Sequence, residues 1–210
     1  MINWDKVYPG SIHHNYTLQP QNGTDVAELA GMDTNNCKWY LIYTKFNAEK
    51  KMYEKIIGRG ILAYLPIRKI KKKWSDRIKI IEEPAFQSYL FAKLNYDAMH
   101  VVEQLSGFMF FVSYGSPSKK TGQIDDKCFP LITDTSIGQI VKILSEFPTA
   151  VMKDNRLIKG DKVEITKGSL INYQGVLMAH PQGKTVAINI NGLKQSLVIS
   201  IPLELLKKIA

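Results

Sequence analysis

Residues Trp39-Tyr40-Leu41-Ile42-Tyr43 form a continuous run of aromatic and branched side chains. Such a run predicts a strand that is buried in the middle of a sheet. Apolar residues at positions 48, 52, 56 and 57 follow at helical spacing, so we expect an amphipathic helix that Asn47 caps and Gly58 ends. The start of the regular chain is therefore a strand followed directly by a helix.

Four further elements continue this pattern as far as residue 150. They are a strand at 86–94, a helix capped by Asn95, an entirely apolar strand at 108–112 that we expect to be buried, and a helix ended by Pro148. Together they predict one mixed α+β domain over residues 37–150. Residues 1–36 lack a periodic apolar pattern and are rich in Asn, Gln, Gly and Thr, so we expect a flexible N-terminal extension.

The C-terminal part of the chain consists of short β runs. Gly168, the Pro181-Gln182-Gly183 segment and Asn191-Gly192 separate these runs at intervals of about ten residues, which is typical of a small barrel. We expect a polar linker at residues 151–159 and a β-barrel at residues 160–210. The predicted fold class is α+β: a mixed or antiparallel sheet with packed helices, followed by a small SH3-like barrel.

Composition narrows the classes of function. The formal net charge is +9 and the sequence pI is about 9.4. This charge suggests a polyanionic partner, because Lys and Arg contacts to phosphates dominate nucleic-acid affinity. No apolar run approaches the roughly 18 residues that a bilayer-spanning helix needs, and the N-terminus lacks the features of a signal peptide. We therefore expect a cytoplasmic protein with no membrane partner.

The sequence shows no constellation of catalytic or metal-binding residues. Cys37 and Cys128 lack metal-ligand spacing, so we expect two thiols, and the four histidines are not arranged as ligands either. No nucleophile elbow, phosphate-binding loop or zinc-hydrolase motif is present. We expect no enzymatic activity, no cofactor and no metal site.

A strongly basic segment interrupts the N-terminal domain. Residues 67–74 and 77–81 flank Ser75-Asp76, which predicts a β-hairpin. Cations beside a flat aromatic ring suit phosphate contact and base stacking. The alternative is a solvated hairpin whose charges prevent edge-to-edge pairing. The candidate nucleic-acid-binding residues of this hairpin are Arg68, Lys69, Lys71, Lys72, Lys73, Trp74 and Arg77.

The segment Gly160-Asp161-Lys162-Val163-Glu164-Ile165-Thr166-Lys167-Gly168, with Gly175 and Gly192 beyond it, resembles the KOW motif of the NusG family and of several ribosomal proteins. Gly160 and Asp161 open the first strand of this motif, and Gly168 supports a turn. Gly175 lies where the backbone of a small barrel bends sharply, so a Cβ there would be costly.

The N-terminal half resembles the N-terminal domain of the same family. The segment from Trp39 to Lys45 looks like its opening strand. Pro84-Ala85-Phe86-Gln87-Ser88-Tyr89-Leu90-Phe91 resembles its Pro-Leu-Phe-Pro-Gly-Tyr segment, and Gly115-Ser116-Pro117 resembles its later Gly-x-Pro loop. Gln87-Ser88 replaces the Pro-Gly of housekeeping members. Together with Tyr43-Thr44-Lys45, this difference favours a specialised antiterminator of the RfaH or UpxY type.

The resemblance implies a transcription elongation and antitermination factor. In that family the N-terminal domain docks on the clamp helices of the RNA polymerase largest subunit, close to non-template DNA or nascent RNA. The KOW domain recruits a small-subunit ribosomal protein or a termination helicase. By matching position, Tyr43, Phe86 and Tyr89 are the docking candidates, and Lys45 is a candidate for contact with DNA. From the strand pattern alone, Phe86 and Tyr89 could instead be core residues on opposite faces.

Two other classes of function compete with this one. A ribosome-associated RNA-binding KOW protein would use the barrel and the basic hairpin directly on folded RNA. An enzyme ranks third, because no acid, base or metal set converges in the sequence. A docking factor needs an exposed aromatic face, whereas an RNA binder needs a continuous basic one.

Overall fold

The computed structural model describes residues 37–74, 76–114, 128–154, 160–180, 183–190, 193 and 195–209. The predicted extension at residues 1–36 and the Gly115-Ser116-Pro117 loop lie outside the described residues. In chain order the elements are β1 (Lys38–Thr44), α1 (Glu49–Ile57), β2 (Leu62–Tyr64), β3 (Ile67–Lys73), β4 (Ile78–Pro84), β5 (Tyr89–Leu94), a 3-10 turn (Tyr96–Ala98), α2 (Met99–Glu103), β6 (Phe108–Phe111), α3 (Asp134–Glu146), β7 (Val151–Asp154), β8 (Asp161–Ile165), β9 (Gln174–His180), β10 (Gly183–Asn189), β11 (Gln195–Ser200), a second 3-10 turn (Leu203–Leu205) and β12 (Leu206–Lys208).

The described residues divide into two compact units. The first contains the described parts of 37–66 and 86–134, and the second contains those of 67–85 and 135–209. The first unit is a four-stranded antiparallel sheet in the order β2-β5-β1-β6, together with α1 and α2. Strand β1 pairs on both sides and its residues from Trp39 to Ile42 are buried, as the apolar run predicts.

Aromatic contacts and a polar network organise the first unit. The ring centroid of Tyr40 lies 5.9 Å from that of Phe111 and 5.3 Å from that of Phe129, both edge to face. The Trp39 indole N–H donates to Asp134 Oδ1 at 2.7 Å, and Lys93 Nζ lies 3.0 Å from both oxygens of that carboxylate. Burial alone would raise the pKa of Asp134, but the hydrogen bonds from Trp39 and Lys93 and the Lys93 charge outweigh it. The pKa of Asp134 therefore lies below its ordinary value.

The two helix caps predicted for this unit have different outcomes. The prediction for Asn95 is confirmed, because its side-chain oxygen accepts the Ala98 N–H at 2.8 Å. The prediction for Asn47 is wrong. The N-cap of α1 is Ala48, which makes no side-chain cap bond, and Asn47 lies in the preceding turn with φ +59°. Asparagine tolerates this left-handed conformation better than most residues, which explains its presence at that position.

The second unit contains a six-stranded antiparallel sheet, the β3–β4 hairpin and α3 from its second residue onward. The strand order is β12-β8-β9-β10-β11-β7, so the chain returns at its end to pair with β8. The C-terminal part of α3 contacts the segment between β8 and β9: Ser169 donates to the Glu146 carboxylate, and Lys142 Nζ lies 5.3 Å from the Tyr173 ring centroid. Burial and the Glu146 charge raise the pKa of Tyr173 above its ordinary value.

The predicted fold class, an α+β part followed by an all-β part, is confirmed by these elements. The linker predicted at residues 151–159 is wrong in its first four residues. Val151–Asp154 forms β7, which pairs with β11 in a register that places Val151 opposite Val198. With four residues, Val-Met-Lys-Asp, β7 is too short to show an apolar alternation, so the sequence pattern does not distinguish it from a linker. Residues 155–159 lie outside the described residues, and the predicted domain boundaries stay predictions.

Candidate functional site

Three aromatic side chains form a row across neighbouring strands of the first unit. This aromatic row consists of Tyr89 on β5, Tyr43 on β1 and Phe110 on β6, and Tyr43 is the register partner of the other two. The Tyr43 ring centroid lies 5.0 Å from that of Tyr89, at an interplanar angle of 68°, and 4.9 Å from that of Phe110, nearly parallel at 18°. Aromatic pairs contribute about 0.5–1.5 kcal/mol beyond burial, so the rings hold one another in place.

The aromatic row is accessible to solvent. Phe110 is 50% exposed, and Tyr43 and Tyr89 are half-buried. Strand β6 is last in the sheet order and carries a bulge: Thr44 lies opposite Phe108 but Tyr43 lies opposite Phe110, so Met109 is an extra residue. Bulges change the direction in which side chains point, and Met109 is exposed as well. The prediction of a buried strand at 108–112 is therefore wrong at these two positions.

Phe86 does not belong to the aromatic row. It is 1% exposed, and its ring centroid lies 6.4 Å from that of buried Phe91. The predicted docking role of Phe86 is wrong, because a side chain enclosed in the core cannot touch a partner while the fold is intact. The predicted strand at 86–94 begins only at Tyr89, and residues 85–88 form a turn that places Phe86 inside and Tyr89 at the surface.

Main-chain hydrogen bonds join the strand ends that carry the row. The Thr44 N–H donates to the Ser88 carbonyl at 2.8 Å, and the Lys45 N–H donates to the Gly107 carbonyl at 2.9 Å. Ser88 directly precedes β5, and Gly107 directly precedes β6. The side chain of Lys45 is exposed, so the structure places this predicted DNA-facing cation just beyond Tyr43 at the end of β1.

The predicted β-hairpin at 67–81 is confirmed as β3–β4, and opposite charges pair across its base. Arg68 Nε donates to Glu83 Oε1 at 2.9 Å, and Lys69 Nζ lies 3.5 Å from Glu82 Oε1. In the register of the hairpin each of these cations lies directly opposite its acid. Arg68 and Lys69 therefore have part of their charge compensated within the protein, which leaves them less available to a polyanion.

The end of the hairpin, residues 71–80, has a different character and is called the hairpin tip. Every described residue of the tip is exposed. The tip contains five cations and a single carboxylate, that of Asp76. Lys72 lies directly opposite Lys79, an arrangement of like charges that destabilises a strand pair. A bound polyanion would relieve this repulsion. Among the described residues, the cations Lys71, Lys72, Lys73 and Lys79 form no ion pair at the tip.

The two faces of the hairpin tip carry different apolar groups. One face presents Trp74, 52% exposed, beside Lys72 and Lys79. The other presents Ile78 and Ile80, which are 67% and 60% exposed. The main-chain N–H of Trp74 donates to the Arg77 carbonyl at 2.8 Å, next to the end of β3. The arrangement combines cations with a flat ring, as the sequence predicts, but only at the tip.

Two glycines of the predicted KOW motif occupy positions with no room for a side chain. A Cβ on Gly175 would lie 2.5 Å from the Ala187 carbonyl oxygen, because β9 and β10 approach closely there. A Cβ on Gly160 would lie 1.8 Å from the Leu177 carbonyl oxygen. Asp161 begins β8 and its carboxylate lies 3.0 Å from Lys208 Nζ on β12, while Gly168 lies in the turn after β8. These residues shape the sheet, and no reactive group lies among them.

The described residues offer no metal site and no membrane span. No group of three or more His, Cys, Asp or Glu side chains among them lies close enough together to hold an ion. None of the helices in this part of the chain is long and apolar enough to cross a bilayer.

The aromatic row and the hairpin tip are thus two solvent-accessible surfaces, one rich in aromatic rings and one rich in cations. A comparison with protein families gives one match. Residues 37–132 match the family model described as "Transcription termination factor nusG". This part of the chain is therefore similar to the NusG family.

Comparison with solved structures gives more distant likenesses. A structure titled "Domain interaction in Thermotoga maritima NusG" is 20% identical, with a TM-score of 0.49, and the match covers 85% of this chain and 100% of that one. A structure titled "Crystal Structure of MjSpt4:Spt5 complex conformation B" is 12% identical, with a TM-score of 0.22, and covers 82% of this chain and 97% of that one. The search of curated proteins gave no match.

Proposed function

We propose that this protein is a specialised transcription elongation and antitermination factor that binds RNA polymerase through the aromatic row. It acts in the cytoplasm as a binding protein and needs no cofactor. The observation that supports the proposal most strongly is the position of Tyr43 and Tyr89. Both lie where the family resemblance expects the face for the clamp helices, and both are at the surface with Phe110 beside them.

The physical properties of the row suit such a contact. Aromatic side chains supply large contact areas at little cost in conformational entropy, and they are enriched among the residues that dominate binding energy. Ring contacts and strand pairing already fix their positions before a partner arrives. A preorganised surface loses less entropy on association, so more of the contact energy appears as affinity.

The hairpin tip supplies the nucleic-acid contact in this proposal. Its uncompensated lysines and Trp74 suit the exposed non-template strand or nascent RNA, because phosphates would relieve the repulsion between Lys72 and Lys79 while a base stacks on the indole. The sheet at residues 160–210, with its KOW-like glycines, would recruit the second partner. The family resemblance suggests a small-subunit ribosomal protein or a termination helicase for that role.

A binding titration tests the polymerase contact. The labelled full-length protein is titrated separately with purified bacterial core RNA polymerase and with ribosomes, and Phe110→Ala is compared with Leu131→Ala. Leu131 is another exposed apolar residue of the first unit that lies outside the aromatic row. We expect polymerase binding that Phe110→Ala weakens by about tenfold or more and Leu131→Ala leaves unchanged.

Preferential binding to ribosomes, with the hairpin lysines as determinants, would instead support the ribosome-associated RNA-binding function. Equal losses in the two variants would show that exposed apolar area in general, rather than the aromatic row, determines binding.

A further inference from the structure

A buried carboxylate holds the turn that leads into the aromatic row. Glu49, the first residue of α1, is buried, and its Oε1 accepts the Ser88 N–H at 2.6 Å. Ser88 itself is buried and has φ +64°, a left-handed backbone conformation that residues other than glycine rarely adopt. Its carbonyl accepts the Thr44 N–H. One residue is therefore fixed from both sides, by α1 and by β1.

The hydrogen bond from Ser88 offsets part of the cost of burying this carboxylate. Burying a carboxylate is costly unless hydrogen bonds compensate it. In the described part of the chain Glu49 forms no ion pair; its carboxylate accepts the Ser88 N–H and lies at the start of α1, where the helix dipole favours a negative charge. An apolar side chain at this position would avoid the desolvation of the carboxylate but would leave the buried Ser88 N–H without its acceptor. The structure instead uses a charged group to hold one main-chain N–H in a strained turn.

The turn that Glu49 holds decides which side chains reach the surface. Residues 85–88 place Phe86 in the core and Tyr89 at the start of β5, where its ring contacts that of Tyr43. Without an acceptor, the Ser88 N–H would be buried and unsatisfied, and a small rotation of the turn would restore contact with water. Such a rotation would move Tyr89, which is attached directly to Ser88.

We infer that Glu49 is a positioning residue for the aromatic row: by holding the Ser88 N–H it keeps Tyr89 against Tyr43 in the arrangement that a partner recognises. The inference rests on the proposed function for the identity of that partner. The position of Tyr89 in the free protein does not depend on it.

Two conservative variants separate geometry from charge. Glu49→Gln keeps the side-chain length and a carbonyl oxygen that can accept the Ser88 N–H. Glu49→Asp keeps the charge but is one methylene shorter, so its carboxylate cannot reach Ser88 from the same backbone position. A role in stabilising α1 through its dipole predicts that Asp substitutes better than Gln, because a negative charge in the first turn is favourable. The positioning role predicts the reverse.

The test measures ring-to-ring nuclear Overhauser effects between Tyr43 and Tyr89 in the free protein, together with affinity for core RNA polymerase. Ile56→Ala, at a fully buried position of the same helix, serves as a destabilised control. We expect Glu49→Gln and Ile56→Ala to keep the ring contact and the affinity. Glu49→Asp should weaken the contact and lower affinity by about tenfold, the loss expected when one aromatic anchor is misplaced.

A ring contact that survives in Glu49→Asp, or that is lost equally in Glu49→Gln, would overturn the inference. Loss of affinity in Ile56→Ala to the same extent as in Glu49→Asp would also overturn it, because general destabilisation would then explain both. If the wild type does not bind polymerase, the proposed function fails, but the ring contacts in the free variants still decide the role of Glu49.

Discussion

The aromatic row and the hairpin tip are both exposed and both contain aromatic rings, but different forces determine their structures. The row lies on three paired strands, with ring centroids about 5 Å apart, and main-chain bonds join the strand ends. The tip belongs to a two-stranded sheet whose opposed Lys72 and Lys79 repel each other. The row is therefore ordered before binding, whereas the tip gains from binding. We expect the row to determine affinity and the tip to determine salt dependence and association rate.

The largest effect should follow from removing two rings of the row. Tyr43→Ala with Phe110→Ala removes the central ring and the most exposed one, and each such anchor is worth about 2 kcal/mol or more. We expect at least a hundredfold loss of polymerase affinity, with the salt dependence of the remaining binding unchanged. Thermal melting of the same variant checks that the sheet persists. Unchanged affinity in a folded double variant would remove the distinction between the two surfaces.

Neutralising the tip should change a different quantity. Replacing Lys71, Lys72 and Lys73 with Gln removes up to three phosphate contacts, each contributing roughly 0.7 to the slope of log affinity against log salt for single strands. We expect the slope for single-stranded DNA to fall by up to about 2. The matched control is Arg68→Gln with Lys69→Gln at the hairpin base, where acids already compensate the cations, and its slope should change less.

The triple variant at the tip and the double variant at the base could instead lower the salt-dependence slope equally. The total charge of the hairpin would then determine binding, whether or not a cation is paired with an acid, and the tip would not be a separate site. This result would also weaken the contrast between an ordered row and a charged tip.

The sequence predicts the elements of both surfaces better than it predicts the exposure of their residues. The run from Trp39 to Tyr43 predicts a buried central strand, because both faces of such a strand are apolar. The equally apolar run at 108–112 gives the same prediction, yet Phe110 is exposed. Its exposure follows from the strand order and from the bulge at Met109, which are properties of the whole sheet. Neither is encoded in local periodicity.

The candidate site illustrates the same limit. The family resemblance points to Tyr43 and Tyr89, which are half-buried, and also to Phe86, which the turn at residues 85–88 directs into the core. Ser88 has φ +64°, a left-handed backbone conformation that the sequence pattern around Gln87-Ser88 does not predict. The hairpin charges were visible in the sequence, but their compensation by Glu82 and Glu83 depends on cross-strand register.

The anchoring of the row's central strand gives a prediction about pH. The pKa of Asp134 is lowered, so its contribution to stability is fully present above the ordinary value of 3.8 and is lost as pH falls through the lower folded value. Asp134→Asn should cost about 1 kcal/mol at pH 7, since the carboxylate is largely exposed and keeps one acceptor. The difference between the free energies of unfolding of the two proteins should shrink as pH falls below 3.8. A difference that stays constant as the pH is lowered until the protein unfolds would contradict an ionised role for Asp134.

A smaller effect should follow from relieving the strained turn. Ser88→Gly removes the left-handed penalty of about 1 kcal/mol, partly offset by the greater entropy of glycine in the unfolded chain. We expect a rise in melting temperature of a few degrees at most, with polymerase affinity unchanged. Ser88→Val, which is β-branched, should lower the melting temperature instead. A destabilising glycine would show that the Ser88 side chain itself contributes to the turn.

Site-specific photocrosslinking tests the central claim most directly. A photoreactive phenylalanine analogue placed at Phe110, in the full-length protein, is irradiated in complex with purified core RNA polymerase, and the products are mapped by mass spectrometry. The same analogue at Trp74 of the hairpin tip is the comparison. We expect crosslinks from position 110 to the clamp helices of the largest subunit, and crosslinks from position 74 to nucleic acid when a DNA–RNA scaffold is present. Crosslinks from position 110 to any other surface of the polymerase, or none from a complex that forms, would contradict the account.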